Sequence, residues 1–140
     1  MRVAFAGTPE FAVPTLEALL ESDHRVVGVV TNPDRPRGRN REPLPPPVKR
    51  AVSDRDVPVF QPESMESDGA YERLDAWNLD VFVVAAYGQI LPKRILDLPT
   101  DGCLNVHASL LPKYRGAAPI NWAIVRGETE TGVTIMRMEE

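Results

Sequence analysis

Short apolar, β-branched runs alternate along this chain with stretches whose apolar residues recur at helical spacing. Residues 2–7 (RVAFAG) read as a buried strand ending at a glycine turn. Phe11, Leu16, Leu19 and Leu20 then form a helical stripe that stops before Ser22 and Asp23. Pro9 and Pro14 both suit a first helical turn, so the predicted start lies between Thr8 and Val13. Residues 25–30 (RVVGVV) are too short for a helix and complete a βαβ unit. A proline- and arginine-rich loop follows, then a short predicted helix over 46–54 and a weak strand over 57–60.

Ala70, Leu74 and Trp77 keep helical spacing. Residues 80–86 (DVFVVAA) are nearly continuous in apolar character, as expected of a central parallel strand covered on both faces. A short helix is predicted over 92–98, a strand over 102–107, a helix over 119–126 closed by Gly127, and a last strand over 131–138. Strands alternate with helices throughout, without an internal repeat. That order predicts an α/β fold, a Rossmann-like open, mostly parallel sheet with helices on both faces. Right-handed crossovers place the carboxyl ends of the parallel strands, and any site built on them, along one edge.

Composition narrows the classes. The longest apolar stretch, residues 81–87, is far shorter than the roughly 20 residues of a membrane span. The first residues lack the apolar core of a secretory signal, so a cytoplasmic protein is expected. The one cysteine, Cys103, excludes an internal disulfide and reads as a small packed residue. Residues 31–50 hold six arginines and lysines against two acids, a charge of +4 within an overall −4. Attraction for an anion is therefore confined to one loop.

Candidate chemistry lies in three places. After the first strand a dinucleotide-binding turn would need three spaced glycines, and FAGTPE offers only Gly7, which disfavours NAD. Gly7 and Thr8 stand either as an anion-receiving helix entry or as a plain tight turn. Asn105 and His107 share one face of a strand, with Leu104 and Val106 on the other. A carboxamide that donates to a developing oxyanion, beside an imidazole that moves protons near neutral pH, suits acyl transfer. The plain alternative is a structural pair. His24 sits in a polar turn and reads as solvated, and Ser109 is too near its only candidate base to form a nucleophilic triad. Two histidines without a carboxylate cluster do not make a metal site. The basic loop, with Arg35, Arg37, Arg39 and Arg41, suits phosphate contact but has no aromatic residue for stacking on bases; a solvated loop is the alternative. Lys113, Tyr114 and Arg115 form a second, smaller basic group.

The runs NVHASLLPKYRGAAPINWAI (105–124) and FAGTPEFAVPTLEAL (5–19) together resemble the formyltransferase domain of the methionyl-tRNA formyltransferase family. TNPDRPRGRNREPLPPPVK (31–49) resembles that family's tRNA-contacting loop, and VVAAYGQILPKRIL (83–96) and ETGVTIMRM (130–138) also fit. The Asn-x-His and Ser-Leu-Leu-Pro pattern is shared with other formyl-folate enzymes; the amino-terminal and arginine-loop matches narrow it. The resemblance implies formyl transfer from 10-formyltetrahydrofolate, as cosubstrate and without a metal, to the α-amine of methionine on initiator tRNA. Asn105 would stabilise the formyl oxygen and His107 would move protons. Ser109, Leu110, Leu111 and Pro112 would line the folate site, and the backbone of Gln89, Ile90, Leu91 and Pro92 would flank the pterin. Arg35, Arg37, Arg39 and Arg41 would reach the tRNA.

The resemblance also implies a catalytic aspartate just beyond Met138, which Glu139 and Glu140 do not match. Residues 1–140 are thus expected to be an incomplete amino-terminal domain with little turnover of its own, lacking a carboxyl-terminal tRNA-binding β-barrel, from a protein that works as a monomer. Two other readings stand beside this one: a non-catalytic folate- or tRNA-binding module, and a formyltransferase acting on a sugar-nucleotide amine.

Overall fold

In a computed structural model the structure describes residues 1–37, 42–107 and 134–139. Six strands form one sheet in the spatial order β5-β2-β1-β6-β7-β8. Their ranges are β1 Arg2–Gly7, β2 Arg25–Val30, β5 Val59–Phe60, β6 Val81–Ala85, β7 Cys103–His107 and β8 Thr134–Arg137. The first five run parallel, and β8 pairs antiparallel with β7. The order turns back between β1 and β6, the position at which open α/β sheets leave a crevice beyond the strand ends.

Side chains alternate across each strand and so divide the core in two. Val3, Phe5, Val29, Val81, Val83 and Val106 meet α1 (Val13–Glu21) and α2 (Pro47–Ala51) through Leu16 and Val48. Ala4, Ala6, Val30, Phe82, Val84 and Cys103 meet α3 (Asp68–Asp75) and α4 (Lys93–Leu96) through Ala70, Leu74 and Ile95. Helices therefore cover both faces, and β6 is buried at all five residues. A 3-10 turn, Glu10–Ala12, carries the chain from β1 into α1, with Pro14 in the first helical turn. The Ser67 hydroxyl caps α3 by accepting from the Ala70 N–H at 3.1 Å.

Several predicted elements are shorter. The 46–54 and 92–98 helices contract to α2 and α4, and the 57–60 strand to the two residues of β5. The 119–126 helix and residues 131–133 lie outside the described residues. The proline-arginine segment is not simply a loop. Arg35–Arg37 (β3) and Glu42–Leu44 (β4) pair antiparallel, with Pro36 opposite Pro43. Two prolines have no N–H to exchange, so they fit only the non-hydrogen-bonded site of such a ladder. Arg35/Leu44 and Arg37/Glu42 are left to carry the bonds.

The register of β2 on β1 slips between Val3 and Ala4, which brings Gly28 opposite Ala4. Trp77 lies over this point, and a Cβ on Gly28 would overlap its six-membered ring. Gly28→Ala is therefore expected to cost about 1–3 kcal/mol by overpacking, read as a lower urea midpoint; an unchanged midpoint would contradict the packing described.

Candidate functional site

The carboxyl ends of β1, β2 and β6 meet at the crevice. There the Tyr87 carbonyl accepts two hydrogen bonds, from Thr8 Oγ1 at 2.7 Å and from Asn32 Nδ2 at 2.9 Å. Thr8 Oγ1 in turn accepts from the Asn32 N–H at 3.3 Å. The Thr8 hydroxyl is thereby committed to holding strand ends together. Gly7 is explained by space, since a Cβ would lie 2.7 Å from both the Ala85 carbonyl oxygen and the Ala12 methyl. These contacts favour the tight-turn reading of Gly7 and Thr8.

Beyond β6 the backbone is left-handed at Ala86 (φ 52°) and again at Gly88 (φ 100°). A Cβ on Gly88 would also lie 2.7 Å from Asn32 Nδ2. The Gln89 side chain turns inward. Its Oε1 accepts from the Met65 N–H at 3.0 Å, and its Nε2 donates to Asn32 Oδ1 at 2.9 Å and to the Pro62 carbonyl at 3.2 Å. Leu91 is buried and Pro92 precedes α4, so Ile90, between the inward Gln89 and Leu91, stands out at 89% exposed. Sequence reasoning singled out Gln89 and Ile90 without separating an internal strut from a presented apolar side chain.

On β7, Asn105 lies beside Val84 of β6 and Met136 of β8, and His107 beside Thr134. Strand alternation places both on the Cys103 face, opposite Leu104 and Val106, and both are half-buried. Two residues along a strand separate their Cα atoms by roughly 7 Å, a span that one small acyl group with its donor and acceptor nitrogens fills. Ser109, Leu110, Leu111 and Pro112 lie outside the described residues, as do Lys113, Tyr114 and Arg115. His24 is exposed, and its Nδ1 lies 3.4 Å from the amino terminus.

Arg35 and Arg37 sit on β3; Arg39 and Arg41 lie outside the described residues. The foot of this ribbon is anchored through Asp34, whose carboxylate accepts from Gln61 Nε2 at 2.7 Å and from Lys49 Nζ at 3.2 and 3.3 Å. The Gln61 bond, aided by Lys49 and opposed by partial desolvation, holds the Asp34 carboxyl below its ordinary value. Asn32, Gln61 and Asp34 form an internal hydrogen-bonded anchor that sequence reasoning missed. Asn32 and Asp34 stand beside the arginines in sequence, whereas Gln61 lies well outside that segment.

Among the described residues no three His, Cys, Asp or Glu side chains gather as metal ligands, and no helix is long and apolar enough to cross a membrane. A groove of about 600 Å³ between β5 and α3, lined by Phe60, Pro62 and Arg73, includes neither Asn105 nor His107. Cys103 is buried. Burial, reinforced by Asp97 and opposed by Arg137, pushes its thiol from 9.0 to about 11, which argues against a nucleophile.

Two predictions follow from this geometry. Ala86→Gly relieves a left-handed alanine and is expected to be neutral or stabilising, whereas Gly88→Ala strains the backbone, crowds Asn32 and costs about 1–3 kcal/mol; urea midpoints that move together would refute the assignment. The Cys103 thiol keeps its proton in the fold at pH values where the unfolded chain has lost it. Its contribution is complete below pH 9.0 and is lost as pH rises toward about 11, a fall of about 2–3 kcal/mol in all. Cys103→Val should flatten that decline in urea titrations between pH 8.5 and 10.5.

The family model described as Formyl transferase matches residues 1–140. The methionyl-tRNA formyltransferase of Citrifermentans bemidjiense is 56% identical over 139 residues, covering 99% of this chain and 44% of that protein. That of Pelotomaculum thermopropionicum is 56% identical over 140 residues, covering 100% and 45%. The chain thus spans a little under half the length of these curated relatives. Among solved structures, glycinamide ribonucleotide transformylase 1 from Geobacillus kaustophilus superposes with a TM-score of 0.73 at 25% identity, over 99% of this chain and 74% of that one. Phosphoribosylglycinamide formyltransferase from Bacillus halodurans gives 0.74 at 22% identity, over 100% and 73%, a likeness of fold. With a mostly parallel sheet and a family match along residues 1–140, the protein belongs to the formyl transferase family.

Proposed function

We propose that this chain carries the donor- and acceptor-facing part of an enzyme that moves a formyl group from 10-formyltetrahydrofolate to the α-amine of methionine on initiator tRNA. The observation that carries the reading is the placement of a carboxamide and an imidazole on one face at the carboxyl end of β7. The names of the relatives at 56% identity support the acceptor, and so does the arginine ribbon, whose cations suit a phosphate backbone. Ile90, exposed beside β6, offers an apolar wall for a flat heterocycle.

In this reading the amine nitrogen attacks the formyl carbon. The carbonyl oxygen gains negative charge, and the Asn105 amide N–H donates to it, a contact that strengthens as the charge develops. The proton lost by the attacking nitrogen passes through His107 to N10 of the folate, and the carbon–N10 bond then breaks. Protonating the leaving nitrogen matters because an unprotonated amide nitrogen departs poorly. Positioned acid–base help of this kind contributes about 10²–10⁴-fold.

His107→Ala in the native full-length protein is therefore expected to lower kcat by about 10²–10⁴-fold and to leave the affinity for a stable formyl-folate analogue within about threefold. Single-turnover assays with methionyl-tRNA, paired with calorimetric titration of the analogue, measure both quantities. Wild-type turnover in the variant would remove the role assigned to His107.

A further inference from the structure

Asn32 spends all of its polar groups on contacts that the formyl-transfer chemistry does not use. Its N–H and Nδ2 hold Thr8 Oγ1 and the Tyr87 carbonyl. Its Oδ1 accepts from Gln89 Nε2 at 2.9 Å, and its backbone carbonyl accepts from Gln61 Nε2 at 3.2 Å. The same Gln61 nitrogen donates to Asp34, the residue immediately before β3, and Lys49 closes the other side of that carboxylate. A continuous hydrogen-bonded chain thus runs from Gln89 through Asn32 and Gln61 to the foot of the arginine ribbon. It joins residues 27 to 57 positions apart in sequence.

Little slack is left in this chain. The carboxamide of Asn32 is wedged against Gly88, where even a methyl group would lie 2.7 Å from Nδ2. Gln89 is fixed at both ends of its own amide by Met65 and Pro62. If a ligand against residues 89–92 shifts Gln89, the Gln89–Asn32 bond either stretches or draws Asn32 with it. Breaking it would leave part-buried amide groups unpaired, which is unfavourable away from water. Moving Asn32 instead displaces the carbonyl that Gln61 shares with Asp34. The anchored end is a carboxylate, that of Asp34, whose oxygens accept from both Gln61 and Lys49.

We propose that Asn32 is a positioning residue that couples the 86–92 segment to the arginine ribbon, so that a ligand held by one changes the affinity of the other. The identity of the two ligands, formyl-folate and tRNA, rests on the function proposed above. Binding linkage tests the coupling in the native full-length protein. The affinity for a stable formyl-folate analogue is measured by calorimetry with and without saturating initiator methionyl-tRNA. The expected ratio in the wild type is fivefold or more, the lower end of ordinary couplings between sites.

In Asn32→Ala that ratio should fall to within twofold of unity, while each ligand alone binds within about fivefold of wild type. Gln61→Leu cuts the chain on the ribbon side without disturbing the Gly88 contact, and it should abolish the ratio as well. It decides the matter should Asn32→Ala fail to fold. A wild-type ratio of unity, or a ratio retained in either folded variant, overturns the coupling. Weaker binding of both ligands with an unchanged ratio marks a merely structural residue and overturns it too. A wild type that binds both ligands without linkage defeats the coupling alone, whereas one that binds neither defeats the functional reading and the coupling together.

Discussion

The carbonyl of Tyr87 is the point on which the crevice is built. It receives the Thr8 hydroxyl and the Asn32 carboxamide, one from the end of β1 and the other from the end of β2, just past the buried strand β6. Each such bond contributes only about 1 kcal/mol net, but leaving its groups unpaired out of water costs more. The two donors therefore fix the separation of three strand ends where the sheet order reverses. The left-handed backbone at Ala86 and Gly88 is tolerated because those contacts determine it. Remote parts of the chain are thereby set against a common carbonyl, and the half-buried face of β7 stands on the next strand over.

Much of the fold was legible in the amino-acid order. β6 read as a central strand because five consecutive apolar residues can be covered on both sides, and they are. Asn105 and His107 could be placed on one face from a period of two, because β7 contains no bulge among its described pairings. The helix after β1 was found with an uncertain start, because a 3-10 turn and two prolines make several first turns equally good locally.

What escaped the sequence has a common cause: it depends on partners far along the chain. The ribbon read as a loop because prolines are poor strand formers, and the facing of Pro36 with Pro43 is what reconciles them with the ladder. Gln61, Asn32 and Gln89 carry no periodic signal, since an amide's role is set by whichever groups the fold brings within hydrogen-bonding distance. Gly28 looked like an ordinary strand glycine, because nothing near it in sequence announces that Trp77 lies above. The Asn105/His107 pair was legible in position, while the anchoring of its surroundings was not.

The brevity of α4 sets where the chain enters β7. A helix of four residues rises only about 6 Å, and it follows directly on the segment that leaves β6. It reaches the first residue of β7, whose Cys103 sulfur lies 3.7 Å from the Leu96 carbonyl, and Asp97 ends it there. The turn at Asp97 thus hands the chain to the amino end of β7, and Asn105 and His107 follow two and four residues further along the same strand.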